Sequence, residues 1–236
     1  MSSIVFDGHD FSGFTTCAVD ESAHAVVPTA KVIPGRAGEL LLNSRIPPRT
    51  LRVKLFLDPR FDLGTGGLSD LRHRIYGWLA VSGGAVLKVP GDPELEWHDA
   101  ICTSAGDWTS LEEDASCELE FTCFDPIAYG EARNEAGTEF DIDGTWPTWP
   151  TFSVVASVGS AVRIGCGGEF VRVEHAFSGG ETVYIDCENE IVTIDGADAR
   201  ADVSLSSDFF RLEPGACELT FVGCASHATA FRERWL

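Results

Sequence analysis

The chain has 236 residues, 44% of them apolar, enough to bury a core without disulfide or metal support. Its net charge of −20 at pH 7 excludes stable nucleic-acid binding as its task, because such binding rests on Lys and Arg neutralising phosphates. No apolar run approaches the roughly 18 residues of a membrane span, and the opening carries Asp7 and Asp10 without an early Lys or Arg, so the sequence predicts a chain made and kept in the cytoplasm.

Ile4 to Phe6 predicts a short strand that the Asp7-Gly8 turn signal ends. Strands are predicted at Ala25 to Ile33 and Glu39 to Leu42, separated by Pro34-Gly35-Arg36, and again at Thr50 to Leu57. One helix is predicted, over Leu68 to Ser82. Leu68, Leu71, Ile75, Trp78 and Leu79 share a face at helical spacing, Thr65 or Ser69 can cap its start, and Gly83-Gly84 ends it. Gly77 inside that helix costs up to about 1 kcal/mol relative to alanine, which predicts close packing there. Ala85 to Val89, Ile101 to Thr103 and Cys117 to Cys123 complete a mainly β half. In the last of these, Cys117, Leu119, Phe121 and Cys123 alternate with Glu118, Glu120 and Thr122, the period of a half-buried strand. Asp125-Pro126 stops that ladder, since proline donates no amide hydrogen.

From there to about Gly144 the chain is acidic and short of large apolar residues, and the chain reads as two β-rich domains, 1–130 and 131–236, hinged just after that strand. In the second, Phe152 to Val158, Val162 to Cys166, Phe170 to Val173, Val183 to Cys187, Ile191 to Ile194 and Leu219 to Val222 are short apolar runs. Gly, Asn or Asp separates most of them, and Glu188-Asn189 is a hairpin turn candidate. The expected fold class is all-β with one α-helix: two domains, the second a β-sandwich.

Motifs that carry chemistry are missing their parts. Gly64-Thr65-Gly66-Gly67 lacks the endings and spacing of a phosphate loop, and there is neither a Gly-x-Ser-x-Gly elbow nor a His-Glu-x-x-His pair. His9, His24, His73, His98, His175 and His227 never come at ligand spacing. Asp141-Ile142-Asp143-Gly144 and Asp195-Gly196-Ala197-Asp198 lack the remaining ligands of a calcium loop and read as turns. None of the eight cysteines form Cys-x-x-Cys, and Cys117, Cys123, Cys187 and Cys217 sit in alternating apolar runs, so buried reduced thiols are expected. The sequence predicts no enzyme, no cofactor and no metal.

Two features point to binding. Trp146-Pro147-Thr148-Trp149-Pro150 either stacks on a sugar ring or anchors a partner, or else plugs the end of the second domain's core. Charge is also segregated: nine basic against four acidic residues from Lys31 to Arg74, then eleven acidic and no Lys or Arg from Asp92 to Asp125. A subunit with unlike charged faces fits steered association with its neighbours.

Taken in order, these signals resemble the distal tail proteins of long-tailed bacteriophages and related tail-like particles. The resemblance rests on Ile4-Val5-Phe6-Asp7-Gly8-His9-Asp10, Pro34-Gly35-Arg36-Ala37-Gly38 and Arg52-Val53-Lys54-Leu55-Phe56 before the helix. It continues through Glu120-Phe121-Thr122-Cys123-Phe124-Asp125-Pro126 to Tyr129, then Ile185-Asp186-Cys187-Glu188-Asn189, Leu212-Glu213-Pro214-Gly215 and Phe231-Arg232-Glu233-Arg234-Trp235. It implies a non-catalytic virion protein of the tail tip. The N-terminal, β-sandwich-like domains would form a hexameric ring between the tail tube protein and a tail hub or tail fibre protein. The C-terminal galectin-like sandwiches would project outward, where receptor-binding proteins attach. Interface candidates are Pro34, Gly35, Arg36, Arg49, Arg52, Trp146, Trp149, Arg234 and Trp235. A carbohydrate-binding β-sandwich that attaches to a host surface is the alternative.

Overall fold

The computed structural model describes residues 3–21, 25–58, 61–62, 65, 67–109 and 115–236. His24, Gly64 and Gly66, and the acidic 112–114, lie outside the described residues. The chain divides into two compact units, Met1–Ala128 and Tyr129–Trp235. As expected, it is mostly β, with a single α-helix among the described residues.

The N-terminal unit contains β1 (Val5–Phe6), β2 (His9–Asp10), β3 (Thr15–Glu21), β4 (Val27–Val32), β5 (Glu39–Arg45), β6 (Arg49–Leu57), α1 (Gly67–Leu79), β7 (Ala85–Val89), β8 (Asp92–Ala105) and β9 (Ser116–Cys123). Seven of these strands form an antiparallel sheet in the order β3-β6-β9-β8-β7-β1-β2. Period-two patterning fixes the register. Leu51, Val53, Leu55 and Leu57 of β6 are buried, and Val53 faces Leu119 and Leu51 faces Phe121 across the ladder to β9. A slip by one residue would turn all of these to solvent. The sheet curls enough for Phe6 of β1 to meet Phe121 of β9 at 5.1 Å. Helix α1 buries Leu71, Ile75 and Leu79, and its Trp78 stacks on His9 at 4.7 Å and meets Phe11 edge-on at 5.3 Å.

Two details of the helix depart from expectation. It ends at Leu79, before Gly83. Gly84 instead serves the approach to β7, where a Cβ would come within 2.5 Å of the Asp99 backbone. Gly77 is exposed, with nothing within 4 Å of where its Cβ would stand. The packing predicted around it is absent, because the apolar stripe runs along the opposite face.

The C-terminal unit contains β10 (Ala128–Glu135), β11 (Glu139–Ile142), β12 (Thr151–Ala156), β13 (Gly159–Cys166), β14 (Glu169–Phe177), β15 (Thr182–Asp186), β16 (Ile191–Ile194), β17 (Ala197–Asp198), a 3-10 turn at Arg200–Asp202, β18 (Gly215–Val222) and β19 (Cys224–Trp235). One sheet runs β17-β16-β15-β12-β19-β10 and the other β11-β18-β13-β14. Between them lies a core of Phe152, Val154, Val183, Ile185, Val192 and Phe231 from the first, with Ile142, Val162, Ile164, Val171, Val173 and Leu219 from the second. Two packed sheets make this unit a β-sandwich. The predicted turn at Glu188-Asn189 forms: the Asp186 carboxylate accepts from both of their amides, at 2.9 and 3.1 Å.

After β9 the boundary between the units falls at Ala128, and the acidic stretch that follows forms β10 and β11. A central strand of twelve residues, β19, was also unmarked by any apolar run. Its buried positions include Thr229 and Glu233, so the hydrophobic alternation that reveals a strand is broken by polar groups. Glu233 is compensated by Arg133 of β10, whose guanidinium donates to it, to Glu135 at 2.7 Å and to the Asp141 carbonyl at 3.1 Å. Glu233 also accepts from the Asp143 amide at 3.1 Å. A buried carboxylate needs such a set of donors.

Candidate assembly surface

The N-terminal unit carries one element that its own sheet does not absorb. Strands β4 and β5 pair only with each other, as a two-stranded sheet. Every residue of β4 is exposed, and so is every residue of β5 except Leu40. Exposed apolar residues concentrate here: Val32 is 66% exposed, Leu41 62% and Leu42 58%, with Val26, Val27 and Ile33 beside them. A bulge between Thr29 and Ala30 interrupts the register, and Pro28 removes one amide donor from an edge. Pro34, Gly35 and Arg36 form the tip, where Gly35 has φ 81° and Gly38 φ 76°, conformations open to glycine at no steric cost. Lys31, Arg36 and Arg45 stand against Glu39 alone, and among the described residues none of the three makes an ion pair.

The outward face of the main sheet is different. Arg52 of β6 donates to Glu120 of β9 at 3.2 Å and remains 70% exposed along its side chain, while Lys54 lies 3.5 Å from Glu118. With Asp20 these residues line an open groove of about 450 Å³. Opposite charges directly across a ladder favour its register. Arg49 is spent inside the unit. It pairs with Glu21, lies 4.4 Å over the Trp97 ring and is 13% exposed.

The remaining candidates belong to the C-terminal unit. The amides of Thr145 and Trp146 both donate to the Arg234 carbonyl, at 2.9 and 3.0 Å, and Thr148 exchanges backbone hydrogen bonds with Leu212 at 2.9 and 2.8 Å. Trp149 is half-buried against the sandwich core, with the Arg211 guanidinium 5.0 Å from its ring. Arg234 pairs with Glu188 at 2.8 Å and lies 5.2 Å over Tyr129. Trp235 packs over Gly130, where a Cβ would sit 2.7 Å from the indole. The structure brings Pro34, Gly35 and Arg36 together at one tip.

All eight cysteines are free, and Cys117, Cys123, Cys187 and Cys217 are buried. Among the described residues, no group of three or more His, Cys, Asp or Glu is placed to hold a metal ion, and no helix is long and apolar enough to cross a membrane.

Residues 143–235, the sandwich from the end of β11 onward, match the family described as siphovirus-type tail component, C-terminal domain. The distal tail protein of Bacillus phage SPP1 is 24% identical over 226 residues, covering 90% of this chain and 87% of its own. These matches support the distal tail protein family for this chain. The crystal structure of the SPP1 distal tail protein, described there as a paradigm of the hub adsorption apparatus in phages infecting Gram-positive hosts, overlays with a TM-score of 0.78. That overlay covers 99% of each chain at 20% identity. At that identity the overlay speaks for the fold, and it extends the likeness to the N-terminal unit.

Proposed function

We propose that six copies close into a ring through their N-terminal units, and that this ring is the structural hub of a bacteriophage tail tip. Tail tube subunits join one side and the hub or fibre protein joins the other. The C-terminal sandwiches face outward as attachment points for receptor-binding proteins. The chain is made and assembled in the host bacterial cytoplasm, ends in the virion, and performs no catalysis.

The observation that carries this reading is the β4–β5 hairpin. A lone two-stranded hairpin is marginal in water, and clustered exposed apolar residues mark a surface meant to be covered. A ring interface is head-to-tail and so needs two unlike surfaces on each subunit. A cationic, apolar hairpin on a chain of net charge −20 supplies one of them, and the acidic remainder supplies its complement. The relatives' description as tail hub components supports the same role. The carbohydrate-binding alternative has less behind it, because Trp149 is already engaged by the core and by Arg211.

Light scattering coupled to size exclusion tests the reading. The intact chain should run as a particle of six chain masses at low salt and dissociate as salt rises. A Leu41→Ser/Leu42→Ser variant should be monomeric with an unchanged circular dichroism spectrum. A monomeric wild type at every concentration, or an unaffected hexamer in the double variant, overturns it.

A further inference from the structure

One sheet of the sandwich holds a pair of thiols that the assembly role does not use. Cys166 ends β13 and Cys217 lies on the neighbouring strand β18, and their Sγ atoms are 4.0 Å apart. The register sets Cys166 opposite Leu219, so Cys217 is the diagonal neighbour on the same face. It is the one pair of cysteine sulfurs in mutual contact among the described residues. The two differ in access. Cys217 is 7% exposed and part of the core, whereas Cys166 is half-buried and adjoins a small open pocket of about 100 Å³ with Gly167, Gly168, Glu169, Glu218 and Thr220. Gly167 and Gly168 follow at φ 56° and 107°, with nothing within 4 Å of either Cβ position, so the turn beside Cys166 is both bare and open.

We propose that Cys166 and Cys217 are a modification site, a clasp between β13 and β18 that closes by exchange with a low-molecular-weight disulfide. The Cys166 thiolate, at the half-buried end of β13, attacks one sulfur of the external disulfide. The disulfide breaks, one thiolate leaves and is protonated, and Cys166 carries the mixed disulfide. Cys217 then releases its proton to solvent and attacks the Cys166 sulfur, expelling the second external thiolate. Two protein thiols are oxidised and one external disulfide is reduced to two thiols. The sulfurs must close from 4.0 Å to about 2 Å, within reach of a side-chain rotation when the adjoining turn can adjust. Burial pushes the Cys217 thiol up to about 12, which makes it the slow, resolving partner and leaves the first attack to Cys166. Once closed, the clasp links positions 51 residues apart and limits the freedom of the unfolded chain.

The test is incubation of the full chain with oxidised glutathione, followed by alkylation under denaturing conditions and intact-mass measurement. Six alkylated cysteines where the untreated protein has eight, a Cys166–Cys217 cross-linked peptide, and a urea midpoint that rises and returns on reduction are expected. Cys217→Ala should instead stop at a glutathione adduct on Cys166, and Cys166→Ser should keep all seven remaining thiols. Eight alkylatable cysteines after oxidation of the wild type, or a cross-link between any other pair, overturns the proposal. The wild-type mass measurement decides it even where a variant folds poorly.

Discussion

Removing the Glu233 carboxylate should weaken the C-terminal sandwich more than any surface ion pair could. Glu233 is 8% exposed, and its Oε1 takes hydrogen bonds from the Arg133 guanidinium and, at 3.1 Å, from the Asp143 amide. Breaking a fully buried pair costs roughly 3–5 kcal/mol, and a hydrogen bond to a charged group contributes about 1.5–3 kcal/mol. Two observations place this site below that ceiling. The Arg133 side chain is 32% exposed, and it keeps Glu135 and the Asp141 carbonyl as partners when Glu233 is gone. We therefore expect about 2–3 kcal/mol for Glu233→Ala, which also strands the Asp143 amide. For Glu233→Gln we expect about 1 kcal/mol, since an amide oxygen still accepts from Asp143 but loses the charge attraction to Arg133. Urea unfolding followed by circular dichroism measures both, and combining each with Arg133→Ala in a double-mutant cycle isolates the pair. Equal losses for Ala and Gln, or a loss for Ala within about 0.5 kcal/mol of zero, the range of ordinary surface changes, would refute the reasoning.

Glycine-to-alanine substitution should change sign between two positions. At exposed Gly77, Ala should raise stability by up to about 1 kcal/mol, whereas at Gly223, with φ 81° and a Cβ position 2.2 Å from the Ala161 carbonyl, it should cost about 1–3 kcal/mol; thermal unfolding of both variants checks this. Alkaline pH should destabilise the fold through its buried thiols. Burial pushes Cys123 and Cys187 up to about 12 from an ordinary value of 9.0, so their stabilising contribution is complete below about pH 9 and is lost as pH rises towards 12. Urea midpoints measured across that window should fall, and Cys123→Ala should fall less steeply than the wild type.

The sequence made β6 and β9 legible because their buried positions are all apolar and alternate strictly, from Leu51 to Leu57 and from Cys117 to Cys123. It hid β10 and β19 for the converse reason. Gly130 is small because the Trp235 ring occupies the space of a side chain, and Glu233 is acidic because Arg133, one hundred residues earlier, neutralises it. Neither fact can be read from a local window. The candidate surface was half legible. Pro34-Gly35-Arg36 marked the hairpin tip, yet Val32, Leu41 and Leu42 have the composition of core strands, and only the absence of a third strand beside them exposes them. Arg49 and Arg234 show the opposite limit. Their charge suggested availability, and the fold commits them to Glu21 and Trp97 in one unit and to Glu188 and Tyr129 in the other.

In the C-terminal sandwich Glu233 is held by Arg133, and the Trp146–Trp149 segment is stitched to β19 and Leu212 by backbone hydrogen bonds. The N-terminal unit builds a well-patterned sheet and then extends from it a hairpin whose Val32, Leu41 and Leu42 stay in water and whose Lys31, Arg36 and Arg45 make no ion pair among the described residues. Leaving such residues exposed lowers solubility and gains nothing for a monomer. It becomes favourable only when a neighbour removes that apolar surface from water, at roughly 25 cal/mol per Å² buried. A subunit of net charge −20 repels its own copies at long range, so contact must form where the sign is locally reversed. In the proposed ring the hairpin would be such a place, joined to an unlike acidic surface of the next copy so that neither is left exposed.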